Sequence, residues 1–128
     1  MWRKYIGIPF KDKGRDETGL DCWGLVRMIY KDKKNIELES RASDYTDVMD
    51  KNTVSQTIKT ESEKWIKVEN PQPFDVVVFR ILGAPMHVGL VTDANNMIHC
   101  ESGSNSVIES FKSLKWQNRI MGFYRWKD

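Results

Sequence analysis

The chain has 128 residues, the length of one domain on the usual scale of about 100–150, so residues 1–128 are read as a single domain and a multidomain machine is excluded. Twenty basic residues stand against 18 acidic ones; the net charge of +2 gives no basic track for nucleic acid, though it permits weak attraction to an anionic wall. Hydrophobic residues at 40% suffice for a core, and two cysteines, Cys22 and Cys100, are too few for a disulfide framework.

In chain order, residues 1–7 carry basic side chains with no apolar run behind them, which predicts no signal peptide. The longest charge-free stretch, residues 81–92, falls short of the roughly 20 residues a membrane helix needs. The protein is therefore expected to be made in the cytoplasm, without a membrane span, and to reach a cell wall only by another route. Gly7, Pro9, Gly14 and Gly19 among charges predict an extended, turn-rich lead-in.

A helix is predicted next. Leu25, Val26 and Ile29 follow Cys22 at i+3, i+4 and i+7, with Asp21 as N-cap, so Cys22 falls in the first turn. The run Lys31-Asp32-Lys33-Lys34 suits a solvated helix end, and residues 31–50 are otherwise polar and irregular. Thr53-Val54-Ser55-Gln56 matches a capping box, and Val54, Ile58 and Trp65 can share a face, which predicts a second helix ending before Pro71.

The pattern then changes to strands. Residues 75–81 are rich in β-branched residues and too apolar for a surface element, as in a central strand launched by the Pro71-Gln72-Pro73 turn. Residues 87–91 and 96–100 flank Asp93-Ala94-Asn95 as an antiparallel hairpin, and residues 107–108 and 121–126 supply two more strands. Helices followed by an antiparallel sheet define an α+β domain.

Candidate chemistry rests on three side chains. A thiol is nucleophilic as thiolate, and a helix N-terminus lowers its pKa, which is the setting predicted for Cys22; a buried structural cysteine is the alternative. His87 and His99 are the only histidines. If the turn comprises residues 93–95, Gly89 lies opposite His99 and the two imidazoles are diagonal neighbours on one face, with Gly89 leaving space for the ring. This supplies a nucleophile, a base and a group to orient it. A zinc site from Cys22, His87, His99 and Cys100 is disfavoured, because His99 and Cys100 are consecutive in a strand and point to opposite faces. Trp2, Trp65, Trp116 and Trp126 are read as core or rim, or as cleft lining.

Three blocks, Gly19-Leu20-Asp21-Cys22-Trp23-Gly24-Leu25-Val26, Pro73-Phe74-Asp75-Val76-Val77-Val78-Phe79, and His87-Val88-Gly89-Leu90-Val91 ending in Met97-Ile98-His99, resemble the NlpC/P60 family of cell-wall cysteine peptidases over roughly residues 5–101. The nearest likeness is to the short, stand-alone domains of phage tails. The resemblance implies a papain-like α+β domain, with N-terminal helices packed on an antiparallel sheet. It also implies hydrolysis of amide bonds in peptidoglycan stem peptides, typically next to a γ-linked D-glutamate, with no cofactor and no metal. Cys22 matches the nucleophile, His87 the general base and His99 the residue that fixes the imidazole. Phe10, Asp21, Trp23 and Gly89 are the candidates for the substrate cleft, Asp21 doubling as the helix cap.

Three positions depart from the family pattern: Trp23 stands where a Ser often follows the nucleophile, Phe10 where a Tyr commonly lines the site, and Phe74 where a Gly usually precedes the strand aspartate. The implied partners are the stem peptide and either phage tail proteins or an immunity protein, with delivery by a virion or a secretion assembly. A non-catalytic tail or wall-binding module on the same fold, and an interbacterial effector amidase or acyltransferase, are the alternatives.

Overall fold

The computed structural model describes residues 2–38, 65–81 and 84–127. The lead-in holds one 3₁₀ turn, Arg3–Tyr5, and a minimal hairpin of two-residue strands, β1 (Arg15–Asp16) and β2 (Gly19–Leu20). Helix α1 runs Cys22–Lys34. It begins there because Asp21, in extended backbone, accepts the Gly24 N–H at 2.8 Å. It ends there because Asn35 adopts the left-handed conformation (φ 54°) and returns its N–H to the Tyr30 carbonyl. Lys31, Lys33 and Lys34 occupy the last turn, where they complement the helix dipole.

Six strands, β3 (Trp65–Val68), β4 (Val76–Ile81), β5 (Ala84–Val91), β6 (Asn96–His99), β7 (Val107–Ser110) and β8 (Ile120–Trp126), form one antiparallel sheet in the order β3-β8-β4-β5-β6-β7. Strand β4 is central, between β8 and β5, and a core cluster packs on each of its faces, so its valine run shows no polar alternation. Val76 and Val78 join Leu25, Val26 and Ile29 of α1 in one cluster, with Val88, Leu90 and Ile98. Val77 and Phe79 join Val91, Met97, Phe111 and Trp116 in a second cluster on the other face. At about 1.5–3 kcal/mol for each fully buried aliphatic side chain, the α1 stripe fixes the helix on the sheet and with it the position of its first turn.

The expected α+β order holds, with one α-helix among the described residues. The second predicted helix needs correction at its end. Trp65 opens strand β3, paired with Trp126 of β8 and meeting its ring edge-on at 5.1 Å, rather than closing a helix. The sequence Trp-Ile-Lys-Val is aromatic and β-branched, and pairing with a distant strand outweighs a helical face of only three sparse apolar positions. The capping box at residues 53–56 lies outside the described residues.

Phe74 adopts φ 77°, a left-handed conformation that favours glycine. Its ring is held by Trp2 at 5.1 Å and Tyr30 at 6.4 Å, and its carbonyl accepts the Tyr30 hydroxyl. One residue on, buried Asp75 forms a two-point pair with Arg125 (Nε–Oδ1 2.9 Å, Nη2–Oδ2 2.8 Å) that ties β8 to the start of β4. Among the described residues no helix is long and apolar enough to cross a membrane.

Candidate active site

Helix α1 delivers Cys22 to the sheet. The side chain keeps 7% of its surface exposed, and its sulfur receives the main-chain N–H groups of Val88 and Trp23. Val88 follows His87 in β5, so the thiol touches the strand one residue from the first histidine. Burial, reinforced by the Asp21 carboxylate, pushes the thiol up to about 12 against the opposing pull of those N–H groups and Arg15. The expected lowering by the helix terminus is thus overturned: the sulfur lies at the N-terminus as predicted, but loss of water outweighs the local dipole.

The β5–β6 hairpin places the imidazoles. Leu90 pairs with Ile98 and Val91 with Met97, and Thr92 N–H bonds the Asn96 carbonyl at 2.9 Å, so the turn comprises residues 93–95. Asp93 stabilises it by accepting the N–H groups of Asn95 and Asn96 at 2.8 and 2.9 Å. This register brings His87 Nε2 and His99 Nδ1 to 2.9 Å, with ring centroids 5.1 Å apart at 76°. Gly89 makes the approach possible: a Cβ there would lie 3.3 Å from His99 Cβ and 2.9 Å from Met97 Sδ. Burial first, then the neighbouring His99 and Lys115, hold His87 down at about 3, so the ring is neutral at rest. Cys22 packs in the helix-side cluster while the His87 ring lies against Phe79 and Trp116 of the second cluster, and both groups are neutral at rest.

Two further residues complete the histidine site, and neither was singled out for it from the sequence. Trp116 stacks on His87 (5.3 Å, 20°) and meets His99 edge-on (5.2 Å, 88°), forming a floor under both rings. Glu109 of β7 places Oε2 at 3.2 Å from His99 Nε2, off the axis of the ring N–H, while its Oε1 accepts the Trp116 indole N–H. The available signal was alternation. With His99 opposite Val107 and Met97 opposite Glu109, continuing the predicted strand one residue past Ile108 puts a carboxylate on the histidine face.

The other predicted positions fall around this centre. Asp21 is buried as the helix cap, its oxygens taken by Gly24 N–H, Lys13 N–H (3.2 Å) and Arg15 (2.8 Å). Trp23 is buried in the helix-side cluster, and Phe10 packs against that cluster with its N–H on the Ser104 carbonyl at 3.1 Å. Both cysteines are free thiols. His99 lies over Trp116, whereas Cys100 turns to the helix side, where its sulfur faces the carbonyls of Ile8 and Leu20. Among the described residues no three metal-ligating side chains converge.

The fold and this constellation define a papain-like α+β domain with a thiol at a helix N-terminus and a sheet-borne imidazole pair. The chain belongs to the NlpC/P60 family, whose model matches residues 7–125. It is 25% identical over 119 residues to the murein DD-endopeptidase MepS/murein LD-carboxypeptidase of Escherichia coli K12, a match covering 93% of this chain and 56% of that protein. Among solved structures, it is similar to the NlpC/P60 domain of the peptidoglycan hydrolase SagA, with TM-score 0.67, 21% identity, and coverage of 96% of this chain and 91% of that one. An NlpC/P60 family protein of Bacillus cereus superposes with TM-score 0.72 at 21% identity, covering 97% of this chain and 37% of the other.

Proposed function

We propose that the chain is a cysteine peptidase that hydrolyses amide bonds in peptidoglycan stem peptides, with Cys22 as nucleophile, His87 as general base and acid, and His99 as its orienter. Family membership and the likeness to a murein endopeptidase support the substrate class. The observation that carries the residue roles is the 2.9 Å contact between His87 Nε2 and His99 Nδ1, on a strand whose next main-chain N–H meets the Cys22 sulfur. That contact occupies Nε2 and leaves Nδ1 as the ring nitrogen for the thiol.

The reaction starts from the neutral pair. His87 Nδ1 takes the Cys22 proton as the sulfur attacks the amide carbon, and main-chain N–H groups at the start of α1 receive the developing oxyanion. The amine leaves with the proton from His87, and a water deprotonated by His87 cleaves the resulting thioester. His99 keeps the His87 proton on Nε2 in the resting enzyme. Two neutral partners avoid the cost of holding separate charges in a buried site before substrate arrives.

The test is mass spectrometry of fragments released from purified peptidoglycan by wild type and by Cys22→Ala, His87→Ala and His99→Ala. We expect cleaved stem peptides from wild type, none from the first two variants and a reduced yield from the third. The same digest from wild type and Cys22→Ala would refute the assignment and favour a binding module.

A further inference from the structure

We propose that Glu109 is a positioning residue that fixes the tautomers of both histidines, so that His87 presents an unprotonated Nδ1 to the Cys22 thiol. The inference rests on the catalytic reading above and deepens it.

His99 Nε2 is fully buried and has no aligned hydrogen-bond partner, yet a carboxylate oxygen, Glu109 Oε2, lies 3.2 Å away. The other Glu109 oxygen is committed to Trp116 Nε1, an indole nitrogen that can only donate. Partial burial pushes the Glu109 carboxyl up, but the close approach of His99, the bond from Trp116 and the nearby Lys115 charge outweigh it. The group therefore sits below the ordinary carboxylate range and is ionised. Among the described residues, Lys115 pairs with Glu101 at 2.9 Å, and Arg119 lies over the Trp116 ring at 5.9 Å.

A carboxylate can only accept, so the chain requires a His99 proton on Nε2. His99 Nδ1 is then a lone pair, and it can only accept from His87 Nε2. His87 must accordingly carry its proton on Nε2, leaving Nδ1 bare. The chain of donors runs one way, from His87 through His99 to Glu109, and one ionised group at its end sets every proton in it. When Cys22 gives up its proton, His87 becomes an imidazolium with both nitrogens protonated, and no proton moves onto Glu109. The network stays fixed while the charge develops, which is what preorganisation requires.

This account predicts an order of effects opposite to that of a structural role. In Glu109→Gln, the amide oxygen must face the donor-only Trp116, so the NH2 group faces His99 Nε2 and donates to it. Both histidines then reverse: His99 holds its proton on Nδ1, His87 holds its own on Nδ1, and the base is lost. In Glu109→Ala the end of the chain is merely unset. We expect kcat to fall about a hundredfold or more in Glu109→Gln, given that a wrong histidine tautomer costs up to about 10⁴ in a triad hydrolase, with KM within about twofold. Glu109→Ala should fall less, about tenfold, although it removes more of the side chain.

The experiment combines two readouts on the folded full chain: steady-state cleavage of a defined stem peptide, and imidazole ¹⁵N NMR, which reports the protonated nitrogen of each ring without requiring turnover. Wild type should show both rings protonated on Nε2, and Glu109→Gln both on Nδ1. The same tautomers in the two proteins would overturn the proposal, as would a kcat in Glu109→Gln equal to wild type or above that of Glu109→Ala. Cys22→Ala, run alongside, separates the two levels. If it retains wild-type turnover, the catalytic reading fails, and the NMR pattern still decides what Glu109 sets.

Discussion

Cys22 and Cys100 sit in the same helix-side cluster, 7% and 0% exposed, yet their polar surroundings have opposite sense. The Cys22 sulfur receives main-chain N–H groups from Val88 and Trp23. The Cys100 sulfur faces two carbonyl oxygens, Leu20 at 3.4 Å and Ile8 at 3.7 Å. Burial first, then nearby acidic groups, keeps both protonated, Cys22 at about 12 and Cys100 at about 11. Resting charge therefore does not distinguish them. What differs is the response to losing a proton: two N–H donors meet the first sulfur, and the strand that supplies one of them carries His87 adjacent in sequence, while acceptors face the second and would repel a thiolate.

The largest expected effect is on turnover. Cys22→Ala should reduce cleavage of a stem peptide by about 10³-fold or more, as removal of a nucleophile does in hydrolases, whereas Cys100→Ala should stay within about twofold of wild type. A loss shared equally by the two variants would erase the distinction drawn from their surroundings.

A second contrast lies in stability and runs the other way. Cys100→Ala removes a fully buried sulfur that bonds the lead-in to the sheet, and should cost about 1–3 kcal/mol in a denaturant titration. Cys22→Ala removes the proposed nucleophile, whose sulfur bonds no loop to the sheet among the described residues, and should cost less. The reverse order would show that Cys22 is the structural thiol.

The third contrast concerns pH. His87 falls from its ordinary 6.5 to about 3 on folding, so between these values the unfolded chain binds a proton that the folded chain refuses. Its contribution to stability is complete above about 6.5 and is lost as pH falls toward 3, with a slope on the order of 1 kcal/mol per pH unit. Cys22 rises from 9.0 to about 12, so its contribution is complete below about 9 and is lost as pH climbs toward 12. Chemical denaturation of wild type and His87→Gln between pH 7 and 4 should show the steeper decline in wild type. Parallel curves would contradict a histidine kept neutral by burial.

The parts of this arrangement legible from the sequence are those set by short-range chemistry. Asp21 as cap and the i, i+3, i+4 spacing after Cys22 announce the helix and the place of the thiol on it. Asp93-Ala94-Asn95 announces a three-residue turn, and the turn length alone fixes which way His87 and His99 face. The parts not legible depend on distant pairing. Trp65 belongs to an edge strand that exists only through β8, and Glu109 reaches His99 only through the register of β6 with β7. The resting charge of Cys22 was unreadable for the same reason: a helix terminus is local, but the burial that overrides it is assembled from β5 and the residues around it.

The central claim is that the sulfur at the start of α1 becomes covalently bonded to substrate. Acid-quenching the protein during stem-peptide turnover, followed by peptide mapping in the mass spectrometer, tests it most directly. An acyl group on Cys22, absent from His87→Ala, is the predicted result. An adduct on Cys100, or cleavage that proceeds with Cys22 never acylated, would contradict it.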